Sequence, residues 1–140
     1  MKRPLILLVD DEPVVLRALR VALEAQDYAV AAVLTGEDAL ARITNGAFDL
    51  VLLDLGLPGV DGFEVIRRVR LLYPALPIIA LSAQGEDAVK VEALDLGADD
   101  YVSKPFSMRV EEARASAASP WRSATRMRAS SSFTPKGLVR

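Results

Sequence analysis

Between Leu5 and Lys104 the hydrophobic positions fall into two alternating kinds of segment. Short runs with few polar interruptions, LILLVDD, YAVAAVL, DLVLLDL, PIIALSA and DYVSK, read as strands. The stretches between them are each long enough for one helix. In the first, Pro13 suits the opening helical position, and Val15, Leu16, Leu19, Ala22 and Leu23 share a face. In the second, TGEDALARITNG, Thr35 and Asp38 have capping-box spacing and Asn45-Gly46 can close the helix. The third opens with Asp61 and Glu64 at the same spacing, buries Val65, Ile66 and Val69, and is over by Tyr73-Pro74. The fourth, GEDAVKVEALDLG, stops at Gly97.

Near-continuous apolar strands alternating with helices predict an α/β fold, a doubly wound parallel sheet covered on both faces. Right-handed crossovers leave few topologies, and the ligand site of such a sheet lies outside the carboxyl ends of its strands. The sequence puts its polar groups there. Asp10 and Asp11 end the first strand, Asp54 the third, Ser82 the fourth and Lys104 the fifth. Any one of them could be the wet end of a strand. As a set they describe a crevice in which three carboxylates repel one another unless a cation joins them. Oxygen ligands without imidazole or thiolate suit a hard divalent ion, magnesium first.

Composition narrows the chemistry. The chain has 140 residues, 51% of them hydrophobic, enough for one core and one domain. With no cysteine and no histidine, disulfides, thiolate nucleophiles, the usual general base and the commonest zinc ligands are all excluded. No apolar run approaches the roughly 20 residues of a membrane span, so a soluble, cytoplasmic chain without membrane contact is expected. The formal charge of -2 conceals an asymmetry: residues 1–106 carry 10 basic and 17 acidic side chains, residues 107–140 carry 7 and 2. The second segment is rich in Ser, Ala and Arg, with no sustained period.

The acidic pair, the central Asp54, the hydroxyl Ser82 and the Lys104-Pro105 dipeptide, in this order and spacing, resemble a response-regulator receiver domain over residues 4–106. ADDYVSKPF is close to the form found in regulators that carry a winged-helix DNA-binding domain. The resemblance implies a flavodoxin-like sheet of five strands in the order 2-1-3-4-5 with five helices. It implies that Asp54 is the phosphoacceptor, that Asp11, Asp54 and the carbonyl of Gly56 hold Mg2+ while Asp10 joins the site mainly through a bound water, and that Lys104 and Ser82 contact the phosphoryl group. It further implies a cis Lys104-Pro105 bond, a switch formed by Ser82 and Tyr101, and a sensor histidine kinase as partner. Lys90, Asp99 and Asp100 would then form charged pairs across a homodimer built on the fourth helix, fifth strand and fifth helix. In this reading the domain spans residues 1–106, with its fifth helix extending to about 118 and a solvated basic tail over 119–140.

The segment after Phe106 departs from the family. SMRVEEARASAAS offers only Met108, Val110 and Ala113 to an apolar stripe, which predicts weak dimerisation. The remainder is too short for a winged helix, so no specific nucleic-acid binding is expected of this chain. Two other classes compete with the phosphorelay receiver: a magnesium-dependent aspartyl-phosphate phosphotransferase or phosphatase, and a truncated DNA-binding transcriptional regulator. Gly56, two residues after Asp54, argues against the first, because an acid-base carboxylate is missing there.

Overall fold

A computed structural model of the chain describes residues 3–83 and 87–104, with Ala83 and Lys104 given by their backbone alone. Five strands, β1 (Leu5–Val9), β2 (Ala29–Val33), β3 (Leu50–Asp54), β4 (Ile78–Ala83) and β5 (Asp100–Lys104), alternate with four helices. The helices are α1 (Pro13–Glu24), α2 (Gly36–Asn45), α3 (Gly62–Leu72) and α4 (Asp87–Leu96). All neighbouring strands are parallel, in the order β2-β1-β3-β4-β5. The expected fold class and strand order are those observed. The region of the expected fifth helix and the tail lies outside the described residues.

The strand runs are apolar at consecutive positions because both faces of the sheet are covered. Leu7, Val9, Val51, Leu53, Ile78 and Ala80 face α2, α3 and α4, meeting Ala39, Ile43, Val65, Ile66, Val69 and Ala93. The alternate positions Ile6, Leu8, Leu50, Leu52, Ile79 and Leu81 join Leu16, Leu19 and Leu23 of α1 in a second cluster. Leu52 is completely buried, and truncating such a side chain to Ala typically costs about 2–5 kcal/mol.

Helix ends follow local chemistry. Pro13 opens α1, where its missing N–H goes unneeded. Thr35 Oγ1 accepts from the Asp38 amide at 3.0 Å, and Asp61 Oδ1 from the Glu64 amide at 3.0 Å. The second half of the expected box is different at α3, since the Glu64 carboxylate reaches forward to Arg67 and Arg68 instead of back to Asp61. At the end of α4, Gly97 takes φ +124°, a conformation that side chains rarely adopt.

Asp99 corrects the sequence reading. It was expected to stand on an exposed dimer face, yet its side chain is largely buried within the domain. One oxygen, Oδ2, accepts from Arg70 Nη2 and from the Ile78 amide, both at 2.8 Å. Arg70 also donates to the carbonyls of Gly97 at 2.8 Å, Leu76 at 2.7 Å and Tyr73 at 3.3 Å. This guanidinium ties the end of α3 to the entry of β4 and the exit of α4. A Cβ on Gly97 would lie 2.6 Å from Arg70 Cγ, so the glycine also clears space for the clamp.

Candidate functional site

The sheet reverses its winding between β1 and β3, and the crevice of a doubly wound fold opens at such a reversal, beyond the carboxyl ends of the strands. The register brings the expected residues there. Val9 pairs with Leu53, so Asp10 and Asp54 leave adjacent strands at the same level. Asp54 pairs with Leu81, which sets Ser82 one residue further out, and Ala83 pairs with Lys104. The Lys104 side chain and the Lys104-Pro105 bond lie outside the described residues.

Burial separates this edge from an ordinary wet one. Asp10, Asp54 and Ser82 are the buried polar residues among those described, and Asp54 is only 7% exposed. Buried carboxylates and hydroxyls are retained only where something satisfies them. Asp10 Oδ1 accepts from the Glu12 amide at 2.9 Å, which fixes the chain entering α1. Asp54 Oδ1 accepts from the Gly56 amide at 3.2 Å, an arrangement that folds the loop after β3 back over the carboxylate. Ser82 Oγ has no hydrogen-bond partner among the described residues. A buried hydroxyl left unpaired costs about 1–3 kcal/mol, and Ser82 Oγ is free to donate to an acceptor placed in the crevice.

A carboxylate oxygen from each of Asp10, Asp11 and Glu12 lies within 4.8 Å of the others. Asp11 and Glu12 are exposed while Asp10 is buried, giving the cluster a solvent-facing side. The donor set is all oxygen, which fits a hard divalent cation. Glu12 was missed in the sequence, although the run Asp10-Asp11-Glu12 carried the signal. Tyr101 is not part of the crevice. It sits on β5 opposite Ala80, 37% exposed, with Lys90 Nζ 4.8 Å from its ring centroid and 3.6 Å from Asp87 Oδ1.

A five-stranded parallel sheet with buried acids and a hydroxyl at its switch point defines a flavodoxin-like α/β domain. The model of the response regulator receiver domain family matches residues 6–115, and the chain belongs to that family. The transcriptional regulatory protein ResD of Bacillus subtilis is 47% identical over 104 residues, covering 74% of this chain and 43% of that protein. The KDP operon transcriptional regulatory protein KdpE of Escherichia coli is 45% identical over 109 residues, 78% of this chain and 48% of that one. Among solved structures, the CheY-like receiver domain protein of Methanospirillum hungatei superposes with a TM-score of 0.79 at 27% identity, covering 93% of this chain and 99% of that one. The chain spans about half the length of the curated relatives it matches. Receiver domains of this family are signalling modules of two-component systems, and this one is similar to those of transcriptional regulators. No helix among the described residues is long and apolar enough to cross a membrane.

Proposed function

We propose that this chain is a phosphorylation-controlled receiver in which Asp54 accepts a phosphoryl group from the phosphohistidine of a sensor kinase. The observation that carries the reading is the burial of Asp10, Asp54 and Ser82 together at the point where the strand order reverses. In the transfer, an Asp54 carboxylate oxygen forms a bond to phosphorus, the phosphorus–nitrogen bond of the donor breaks, and the imidazole leaves with a proton. Little covalent help is required; positioning and neutralisation of charge carry the rate.

Asp11, Asp54 and the Gly56 carbonyl would hold magnesium, with Asp10 acting mainly through a bound water and Glu12 flanking the group. When bound, the ion neutralises charge between the carboxylates and the phosphoryl oxygens. The chain's own groups do the rest. Asp10 anchors the start of α1 through the Glu12 amide, the Gly56 amide orients Asp54, and the Ser82 hydroxyl donates to a phosphoryl oxygen once one is present. Lys104 supplies a compact positive charge from the end of β5. Tyr101 then exchanges its exposed position for a buried one and changes the surface of α4 and β5.

In this reading the receiver occupies residues 1–106 with its last helix running to about 118, and the family match through residue 115 supports that extent. Dimerisation through α4, β5 and the following segment is weak, because residues 107–118 bring few large apolar groups to it. The chain is cytoplasmic, as its kinase partner requires. Incubation with magnesium and acetyl phosphate, read by intact mass, tests the reading. One added phosphoryl group that Asp54→Ala abolishes supports it; equal labelling of the variant refutes it.

A further inference from the structure

The loop from Leu55 to Asp61 carries the Gly56 carbonyl, and two helix-opening glycines hold it at its ends. Gly62, the first residue of α3, faces the peptide that bears the phosphoacceptor: a Cβ there would lie 2.6 Å from the Asp54 carbonyl oxygen and 2.6 Å from Leu55 Cα. Gly36, the first residue of α2, faces the other end. A Cβ there would overlap the Val60 carbonyl oxygen outright and come within 3.0 Å of Val65 Cγ2. Neither glycine has a positive φ, so the demand at both positions is space and not backbone freedom.

We infer that Gly36 is a positioning residue for the magnesium site, acting through Val60 on the loop that presents the Gly56 carbonyl. This rests on the receiver reading above. The mechanism is mechanical. α2 cannot retreat from an added methyl group, because Ala39 and Ile43 on the same face are packed in the core. The loop can move, since Gly56, Pro58, Gly59 and Asp61 are all exposed. Leu55 and Leu57 are buried, so a shove at Val60 becomes a tilt about those two anchors that carries Gly56 with it. Magnesium demands near-octahedral geometry at short oxygen distances, and loss of the groups that orient a metal's ligands typically costs about 10–100-fold in affinity. Asp54 itself is held through Gly62 and its strand, so its reactivity survives once the metal is supplied in excess.

The experiment compares the parent with Gly36→Ala and Gly46→Ala. Gly46 is the control: a Cβ there would crowd the Phe48 ring at 2.8 Å at the far end of the same helix, away from the crevice. Calorimetry gives magnesium affinity, thermal unfolding gives stability, and acetyl phosphate labelling gives the rate as a function of magnesium. Gly36→Ala is expected to weaken magnesium binding about tenfold or more. Its labelling rate should return to near the parent value at saturating magnesium, and Gly46→Ala should keep the parent affinity. Parent-like affinity in a folded Gly36→Ala, or equal loss in both variants, overturns the inference. If Gly36→Ala does not fold, Gly59→Ala decides. Gly59 has φ +70° with the Glu37 carboxylate nearest its Cβ position, so that variant strains the same loop from its exposed side. Unchanged magnesium affinity in it overturns the inference equally. A parent that neither binds magnesium nor labels sinks the receiver reading itself, an outcome distinct from a parent that does both while Gly36→Ala matches it.

Discussion

Arg70 and Asp99, 29 residues apart in the chain, meet at 2.8 Å with side chains only 8% and 9% exposed. Burial pushes the Arg70 guanidinium below its ordinary pKa, and Asp99 opposes that shift through charge and hydrogen bonding. Removing one partner leaves the other charge buried. Asp99→Asn should therefore destabilise the domain by about 3–5 kcal/mol, and Arg70→Met by a comparable amount. Combining the two should cost clearly less than the sum. Denaturant unfolding of the four proteins checks this; additive losses would show that the pair is not coupled.

On α3, Arg67 and Arg68 hydrogen-bond the Glu64 carboxylate and hold its pKa below the usual value, the Arg67 bond being the larger cause. A depressed carboxylate pKa stabilises the folded state above the unfolded pKa, about 4.3, and that contribution disappears as pH falls through the folded value. Glu64→Gln should lower stability slightly at pH 7, and the gap from the parent should close below about pH 4. A gap that is constant with pH would assign the effect to packing.

Asp11 is exposed beside two other carboxylates, whereas Asp10 is buried and holds the Glu12 amide. Their substitutions should differ in kind. Asp11→Ala should raise stability without magnesium by up to about 1 kcal/mol, through relief of repulsion, and lose most of the stabilisation by the metal. In the parent that stabilisation should reach about 2.7 kcal/mol at a hundredfold excess over Kd. Asp10→Ala should lower stability by about 1–3 kcal/mol already without magnesium, because the Glu12 amide loses its acceptor, and should lose a smaller share of the stabilisation by the metal than Asp11→Ala does. Thermal unfolding with and without magnesium separates the two; identical behaviour would contradict the division of roles.

The sheet was legible because β1 to β4 carry runs of consecutive apolar positions, as Leu50–Leu53 shows, and because Thr35 and Asp61 announce helix starts by a local bond that spacing alone predicts. Asp10, Asp54 and Ser82 were legible as strand-end residues that the parallel order brings together. Asp99 was not. Its partner Arg70 belongs to another crossover unit, and exposed and buried aspartates look alike in a one-dimensional pattern. Gly36 and Gly62 read as ordinary helix-start and turn residues, since close approach of a distant backbone leaves no local mark. Glu12 immediately precedes α1, where an acidic side chain is ordinary helix-start chemistry and carries no separate mark of a metal site.

The central claim is the identity of the nucleophile, and borohydride trapping reads it directly. The phosphorylated protein is reduced, which converts an aspartyl phosphate into homoserine, and the tryptic peptides are then sequenced by mass spectrometry. The peptide from Ile43 to Arg67 contains Asp49, Asp54 and Asp61, so fragmentation within it distinguishes the three. Homoserine at position 54 alone, dependent on magnesium and acetyl phosphate, is the result the account predicts. Homoserine at Asp10, Asp11 or another aspartate with position 54 intact would contradict it.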